Sequence, residues 1–359
     1  MRKDKSILTL VLLLSVALTS YGQSKEDGRD NFTLLTMPFN LRQLTLYRGQ
    51  FTVDAGYKFA VRSVSYDDNG NKVILTNSGG GSVYHYYYTD IKYGVTNFLE
   101  VGAETYYLRH GIRTQTEKYI STTTSGNADI TLNQLQELKG FGDVLLIMSL
   151  RPPMKYRGFD FRITGGLFLP VSGYKPDLPS NTVTTAAANS YVINSYTRYA
   201  NGYGVPVYLL SGSMKAGIKK FTFEADFSFR TPKKEGTNIR WTSTIDNAKV
   251  SYNDKSYSYL LSNEFHLDAS LHYQASGWFD VYLNADALET RGGWTEYWGN
   301  KYSNKQTMLV NIEPCFEIQI SPSLRICQVA GFPLKGKNSD ASFYMFTTIK
   351  FSRFLSGNK

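Results

Sequence analysis

Apolar and polar side chains alternate along most of this chain. In the stretch FTFEADFSFR, residues 221–230, the odd-numbered positions are Phe or Ala and the even-numbered positions are Thr, Glu, Asp, Ser and Arg. A period of two is typical of a β-strand whose two faces meet different surroundings. A soluble sheet and a membrane barrel both produce this pattern, so the rest of the chain must distinguish them.

Twelve such segments follow one another. Most are about ten residues long, which is the length of a tilted membrane-spanning strand. The predicted strands are 50–62, 83–95, 99–109, 142–151, 159–169, 205–216, 221–230, 257–273, 279–287, 308–320, 324–332 and 342–354.

The connections between these segments alternate in length. Short ones lie at 96–98, 152–158, 217–220, 274–278 and 321–323, and longer ones at 63–82, 110–141, 170–204, 231–256, 288–307 and 333–341. A compact soluble domain rarely contains several long loops, whereas outer-membrane barrels have short periplasmic turns and long outer loops. We predict an all-β fold: a single antiparallel transmembrane β-barrel of about 12 strands over residues 49–359, with short periplasmic turns and long extracellular loops.

The first residues predict export. Arg2, Lys3 and Lys5 precede the apolar run 7–18, and small or polar residues follow at 20–22. This is the pattern of a cleaved signal peptide, here residues 1–22, because roughly 12 apolar residues are too few to span a bilayer as a helix. We predict the cell outer membrane as the location. Residues 23–48 are predicted to form either a periplasmic tail or a plug or gate inside the barrel.

The polar faces of the segments are rich in charge, whereas aromatic residues such as Tyr93, Phe159, Phe221, Tyr273 and Trp278 lie beside the short turns. Aromatic residues collect at membrane interfaces, and a charge facing lipid at the midplane costs about 2–4 kcal/mol. We therefore predict that the phenylalanines of 221–230 face lipid and that the charges face the lumen. The candidate lumen residues are Asp54, Lys58, Arg62, Glu100, Glu104, Asp143, Arg162, Glu224, Asp226, Arg230, Glu264, His266, Asp268, His272, Glu313 and Glu317.

The net charge of +9 raises the question of nucleic acid. There is no basic run with interleaved aromatic residues, and the chain is exported, so we predict no nucleic-acid partner. The expected partners are outer-membrane lipid, a small-molecule solute and a protein partner at the extracellular loops.

The sequence contains one candidate acid–base pair and one candidate calcium-binding stretch. His266 and Asp268 share one face of a predicted strand, an acid–base pair whose alternative is a polar patch in the lumen. No G-x-S-x-G, H-E-x-x-H or P-loop pattern is present, and DDNGN, residues 67–71, lacks the remaining ligands of a calcium loop, so a turn is favoured there. We predict no enzyme activity, no cofactor and no metal site.

The chain has two cysteines, Cys315 and Cys327, which are too few and too far apart for a zinc site of the usual paired spacing. Both are predicted to point into the lumen from strands joined at residues 321–323. If the turn centres near Ser321, they face each other, and the hypothesis is a cross-strand disulfide.

Four segments resemble a family of outer-membrane barrels labelled as transporters of the meta-pathway of phenol degradation. They are KYGVTNFLEVGAE (92–104), GFGDVLLIMSL (140–150), GGLFLPVSGYKP (165–176) and AGFPLKGKNSD (330–340), in that order. The resemblance implies an outer-membrane location and the import of small, often apolar or aromatic compounds. The long loops depart from the family.

Two functions remain open from the sequence. One is a channel or facilitator for uptake of a small solute, apolar or aromatic, through a charged lumen. The alternative is a non-conducting barrel that acts in adhesion or as a component of a secretion or surface-assembly machine.

Overall fold

The computed structural model describes residues 42–74, 82–123, 126–153, 158–171, 191–197, 202–233, 235–246, 249–297 and 300–355. The predicted signal peptide therefore lies outside the described residues. Within the described part, no helix is long and apolar enough to cross a membrane.

Strands account for most of the described chain. Their bounds are β1 Gln50–Tyr66, β2 Lys72–Ile74, β3 Ser82–Gly94, β4 Leu99–Thr123, β5 Gly126–Phe141, β6 Val144–Leu150, β7 Phe159–Leu169, β8 Tyr191–Thr197, β9 Val207–Ile218, β10 Phe221–Pro232, β11 Gly236–Asp246, β12 Lys249–Leu260, β13 Asn263–Gln274, β14 Phe279–Arg291, β15 Trp294–Tyr297, β16 Asn300–Ser303, β17 Thr307–Ser321, β18 Leu324–Lys337 and β19 Ser339–Phe354.

Twelve of these strands form a closed antiparallel barrel. Each pairs with the next in the order β1, β3, β4, β6, β7, β9, β10, β13, β14, β17, β18, β19, and β19 pairs back with β1 from Gln50↔Phe354 to Tyr66↔Ser339. Closure leaves this sheet without a free edge. The predicted fold is confirmed, and every predicted strand overlaps one barrel strand.

The long connections contain more structure than the sequence predicted. The loop expected at 110–141 is largely a β-hairpin, because β4 continues to Thr123 and pairs with β5. A second sheet of five strands, in the order β16, β15, β12, β11, β8, is built from three of the other long connections. The last predicted loop, 333–341, is wrong: β18 runs on to Lys337 and turns at Asn338, whose φ is 47°.

The two faces of the barrel wall differ as the alternation predicts. On β10, Phe221, Phe223 and Phe227 are 52%, 42% and 50% exposed, whereas Thr222 and Ser228 are 2% and 6% exposed. The phenylalanines therefore lie on the outer surface of the barrel and the polar residues point inward. An outer belt of apolar side chains on a closed barrel is the surface that contacts lipid, and this protein is an outer-membrane barrel.

Aromatic side chains lie at the end of the barrel that carries the short turns. Tyr93, Phe159, Tyr273 and Trp278 are each at least 38% exposed there, and the rings of Phe221 and Tyr273 are 5.2 Å apart. This arrangement matches the aromatic girdle of outer-membrane barrels at the periplasmic interface.

Candidate functional site

Residues 42–47, which we call the inner segment, lie inside the barrel near the end with the short turns. The amide of Leu44 donates to Asp160 Oδ2 at 2.6 Å, and the amide of Leu46 donates to Glu100 Oε2 at 2.8 Å. Arg162 donates to the carbonyl of Leu44 at 3.0 Å. The carboxylates and the guanidinium belong to β7 and β4, so lumen-facing charges from the barrel wall bind the backbone of the inner segment.

A second set of contacts holds the beginning of the inner segment. Lys215 Nζ donates to the carbonyl of Arg42 at 2.5 Å. The Arg42 guanidinium pairs with Glu317 at 3.3 Å and donates to Gln319 at 3.4 Å. Lys215 lies on β9 and Glu317 on β17, so the segment is tied to strands on different sides of the lumen.

Beyond the inner segment, the lumen widens into a cavity of about 910 Å³. One wall is aromatic and comes from β3 and β19: Tyr84, Tyr86, Tyr88, Tyr344 and Phe346. A cavity of this volume lies within the usual range for small-molecule sites, which combine an apolar or aromatic lining with a few polar groups.

Charged side chains border the cavity as well, and those of β1 lie between the two strands that carry the aromatic wall. Arg230 pairs with Glu264 at 3.3 Å and donates to the Tyr203 hydroxyl at 3.1 Å. Asp54 pairs with Lys350 at 3.1 Å. The Lys58 ammonium lies 3.5 Å from the centroid of the Tyr344 ring.

The remaining lumen candidates either have a polar partner or border one of the two lumen spaces. Arg162 and Asp226 approach to 3.7 Å, Arg62 pairs with Asp340 at 2.7 Å, Asp143 accepts from the Tyr203 amide at 2.6 Å, Glu313 accepts from Asn284 at 2.8 Å, and Ser270 Oγ and His272 Nε2 are 2.8 Å apart. Glu104 borders the large cavity, and Glu224 borders the space around the inner segment.

His266 has a carboxylate at each ring nitrogen. Nδ1 lies 3.3 Å from Asp268 Oδ2, and Nε2 contacts Asp286. The sequence placed His266 beside Asp268 on one strand, but Asp286 comes from the neighbouring strand β14. That no reaction occurs at this pair stays a prediction.

The residues of the aromatic wall were not among the lumen residues predicted from the sequence. The signal was available, because Tyr84, Tyr86 and Tyr88 have the same parity as Asp90 and Lys92 in YHYYYTDIK. Parity shows that they point inward, but tyrosine is so common in strands that it does not distinguish a cavity lining from ordinary packing.

The expected face-to-face position of the two cysteines is wrong. The β17–β18 hairpin closes between Ser321 and Leu324 and is not centred on Ser321, so Cys315 lies opposite Val329 and Cys327 lies opposite Glu317. Both thiols are free, and that of Cys327 lies 2.8 Å from the Tyr282 hydroxyl.

Residues 67–71 form the turn that the sequence favoured over a calcium loop. The Asp67 carboxylate accepts from the amides of Asn69 and Asn71, both at 2.8 Å. It also accepts from the Asn71 side chain at 2.9 Å. These bonds, the Asn71 side chain first, hold the pKa of the Asp67 carboxyl below its ordinary value.

Comparison with known proteins supports the fold. No family model matches the chain, and no curated protein matches it. Among solved structures, an outer membrane channel from Pseudomonas putida F1 is similar with a TM-score of 0.59 and 11% identity, over 86% of this chain and 97% of that one. The P. putida toluene transporter TodX aligns over 91% of this chain and 92% of that chain at 11% identity, with a TM-score of 0.43.

At this level of identity the similarity to the P. putida F1 channel shows a shared barrel fold. The resemblance to the phenol-degradation family stays a prediction, because no family model matches.

Proposed function

We propose that this protein is an outer-membrane facilitator for the uptake of a small apolar or aromatic solute, and that the inner segment closes its periplasmic end. The observation that carries the proposal is the aromatic cavity of about 910 Å³ lying directly beyond the inner segment in one lumen. A solute entering from outside meets the tyrosine wall before it meets the segment.

The chemistry of the cavity supports a small solute with an apolar body. Tyr84, Tyr86 and Tyr88 line the cavity, and aromatic rings offer dispersion and stacking or edge contacts to an aromatic molecule. Arg230 and Asp54 are already in ion pairs within the wall, so their charges are balanced without a charged solute.

The inner segment supports gating because its attachments are polar and reversible. Its backbone is held by side chains, among them Asp160, Glu100 and Lys215, rather than by pairing into the sheet. A hydrogen bond to a charged group contributes roughly 1.5–3 kcal/mol, so several together hold the segment while each can be exchanged for water. Movement of the segment would connect the cavity to the periplasm.

Filling the cavity tests this function. Ser342 borders the cavity, and Met345 on the same strand is 47% exposed on the outer surface. In cells that express the protein, we expect Ser342→Trp to reduce uptake of a radiolabelled monoaromatic compound several-fold. The control Met345→Trp should leave uptake unchanged. Equal uptake by the two variants and the unmodified protein, at matched levels in the membrane, would exclude the cavity from the solute path.

One observation favours the second function. The long connections form a five-stranded sheet, β16-β15-β12-β11-β8, which a simple pore does not need and which suits recognition at the cell surface. Under that proposal the barrel anchors the sheet in the membrane. Ser342→Trp then takes up the solute as the unmodified protein does. A protein partner copurifies with the intact chain but not after deletion of residues 236–260.

A further inference from the structure

Three neighbouring strands bring a nitrogen and several oxygen donors to one point of the lumen wall. Asp268 on β13 lies directly opposite Asp286 on β14, and Asp286 lies directly opposite Asn311 on β17. His266 precedes Asp268 by two residues and shares its face. Side chains that lie directly opposite on one face of a sheet have Cβ atoms about 4.5–5.5 Å apart.

The donor atoms of this group converge. One donor atom from each of His266, Asp268 and Asp286 lies within 4.8 Å of the other two. Atoms that ligate one metal ion tetrahedrally at about 2.0–2.2 Å are about 3.3–3.6 Å apart, so side-chain movements of about 1 Å bring all three into coordination range.

The two carboxylates of the group have few basic partners, because Lys58, which borders the same cavity, acts on Asp286 only from beyond ion-pair distance. Two carboxylates directly opposite each other repel. Within the described residues, His266 is the only basic side chain at ion-pair distance from Asp268 or Asp286. Asp226, next in the same row, differs because Arg162 lies 3.7 Å away. With His266 neutral, as a metal ligand must be, the two carboxylates carry two negative charges, which one bound divalent cation would neutralise.

Asn311 provides an independent indication of a ligand. Its side chain is only 5% exposed, and its Oδ1 accepts no hydrogen bond in the described structure. Its Nδ2 donates to Asp286 Oδ2 at 3.0 Å, so the amide already touches the group. Buried polar atoms without a partner are rare, and a half-turn of this amide exchanges its nitrogen and oxygen, which places Oδ1 beside the Asp286 carboxylate.

We propose that His266, Asp268, Asp286 and Asn311 form a binding site for a divalent first-row transition metal, with Zn²⁺ as the best-matched ion. One imidazole nitrogen and three oxygens from four side chains suit tetrahedral Zn²⁺. Calcium prefers six to eight oxygen ligands and no nitrogen. The sequence search missed the site because its ligands come from three strands and form no linear motif.

The test is isothermal titration of the refolded full-length protein with ZnCl₂ after purification in EDTA. We expect one Zn²⁺ per chain and a Kd that rises at least tenfold in the double variant Asp268→Asn, Asp286→Asn. The matched control is Asp54→Asn, which removes a carboxylate from another wall of the same cavity and leaves the Kd unchanged. The heat-dependent mobility shift on a gel confirms that each variant is folded.

His266→Gln serves as the second variant if the double variant does not fold, and it is expected to weaken Zn²⁺ binding to a similar degree. The proposal is overturned if the unmodified protein binds no Zn²⁺, if it binds Ca²⁺ as tightly as Zn²⁺, or if Asp54→Asn weakens binding as much as the substitutions in the group.

Discussion

Gly94, at the end of β3, is the residue over which the inner segment passes. A Cβ at this position would overlap the carbonyl oxygen of Tyr47 and lie 2.8 Å from its carbonyl carbon. Contacts this short with backbone atoms cannot be relieved by turning a side chain. The absence of a side chain at Gly94 therefore allows the segment to lie against the wall.

The first prediction is that Gly94→Ala displaces the inner segment. We expect its conductance in a planar bilayer to exceed that of the unmodified protein several-fold, because the added methyl group and Tyr47 cannot occupy the same space. Gly165→Ala is the control, since a Cβ there meets nothing within 4 Å. Identical conductance of the two variants and the unmodified protein would show that the segment does not depend on this close approach.

Residue by residue, the sequence predicted the direction of side chains better than their partners. Parity alone placed Glu100, Arg162 and Glu317 on the lumen face. It did not reveal that they bind residues 42–46, because those contacts cross the lumen and depend on how the barrel closes. The sequence did not predict the pairing of His266 with Asp286 for the same reason. These residues are 20 positions apart in the chain, and only the register of β13 against β14 brings them together.

At the scale of the strands, alternation was informative wherever the two faces meet different media. The prediction for β7, 159–169, agrees with the observed bounds at both ends. Beyond the membrane the alternation of apolar and polar residues disappears, as in TQTEKYISTT of β4. The sequence therefore predicted loops where the structure has the β4–β5 hairpin and the five-stranded sheet.

A prediction on β10 tests which face meets lipid. Phe227 lies near the middle of the strand and is 50% exposed on the outer surface. We expect Phe227→Arg to lower the free energy of folding into phospholipid vesicles by about 2–4 kcal/mol, the cost of a charge at the bilayer midplane. The change is measured by denaturant titration of the heat-dependent gel shift.

Phe227→Leu is the control for that substitution. It keeps an apolar side chain in contact with lipid, so the loss should stay below about 1.5 kcal/mol. If Phe227→Arg costs no more than Phe227→Leu, the outer face of β10 does not meet hydrocarbon, and the orientation derived from the exposed phenylalanines is wrong.

In the whole molecule, the inner segment and the cavity lie one after the other in the lumen of the closed barrel. Twelve strands enclose the lumen, residues 42–47 fill its periplasmic end, and the tyrosine-lined cavity lies beyond them. Sequence patterns predicted the closed barrel because twelve alternating segments and short turns recur along it. They left residues 23–48 as either tail or plug, because a segment of mixed composition without periodicity gives no sign of what it contacts.

The central claim is that the inner segment closes a channel. It is tested most directly by single-channel conductance in planar bilayers, comparing the refolded chain from Gln23 with a variant lacking residues 23–48. A variant lacking only residues 23–40 is the control, since it retains the segment 42–47. We predict discrete conductance steps after the longer deletion and none, or rare small ones, in the other two proteins. Equal conductance in all three would contradict the account.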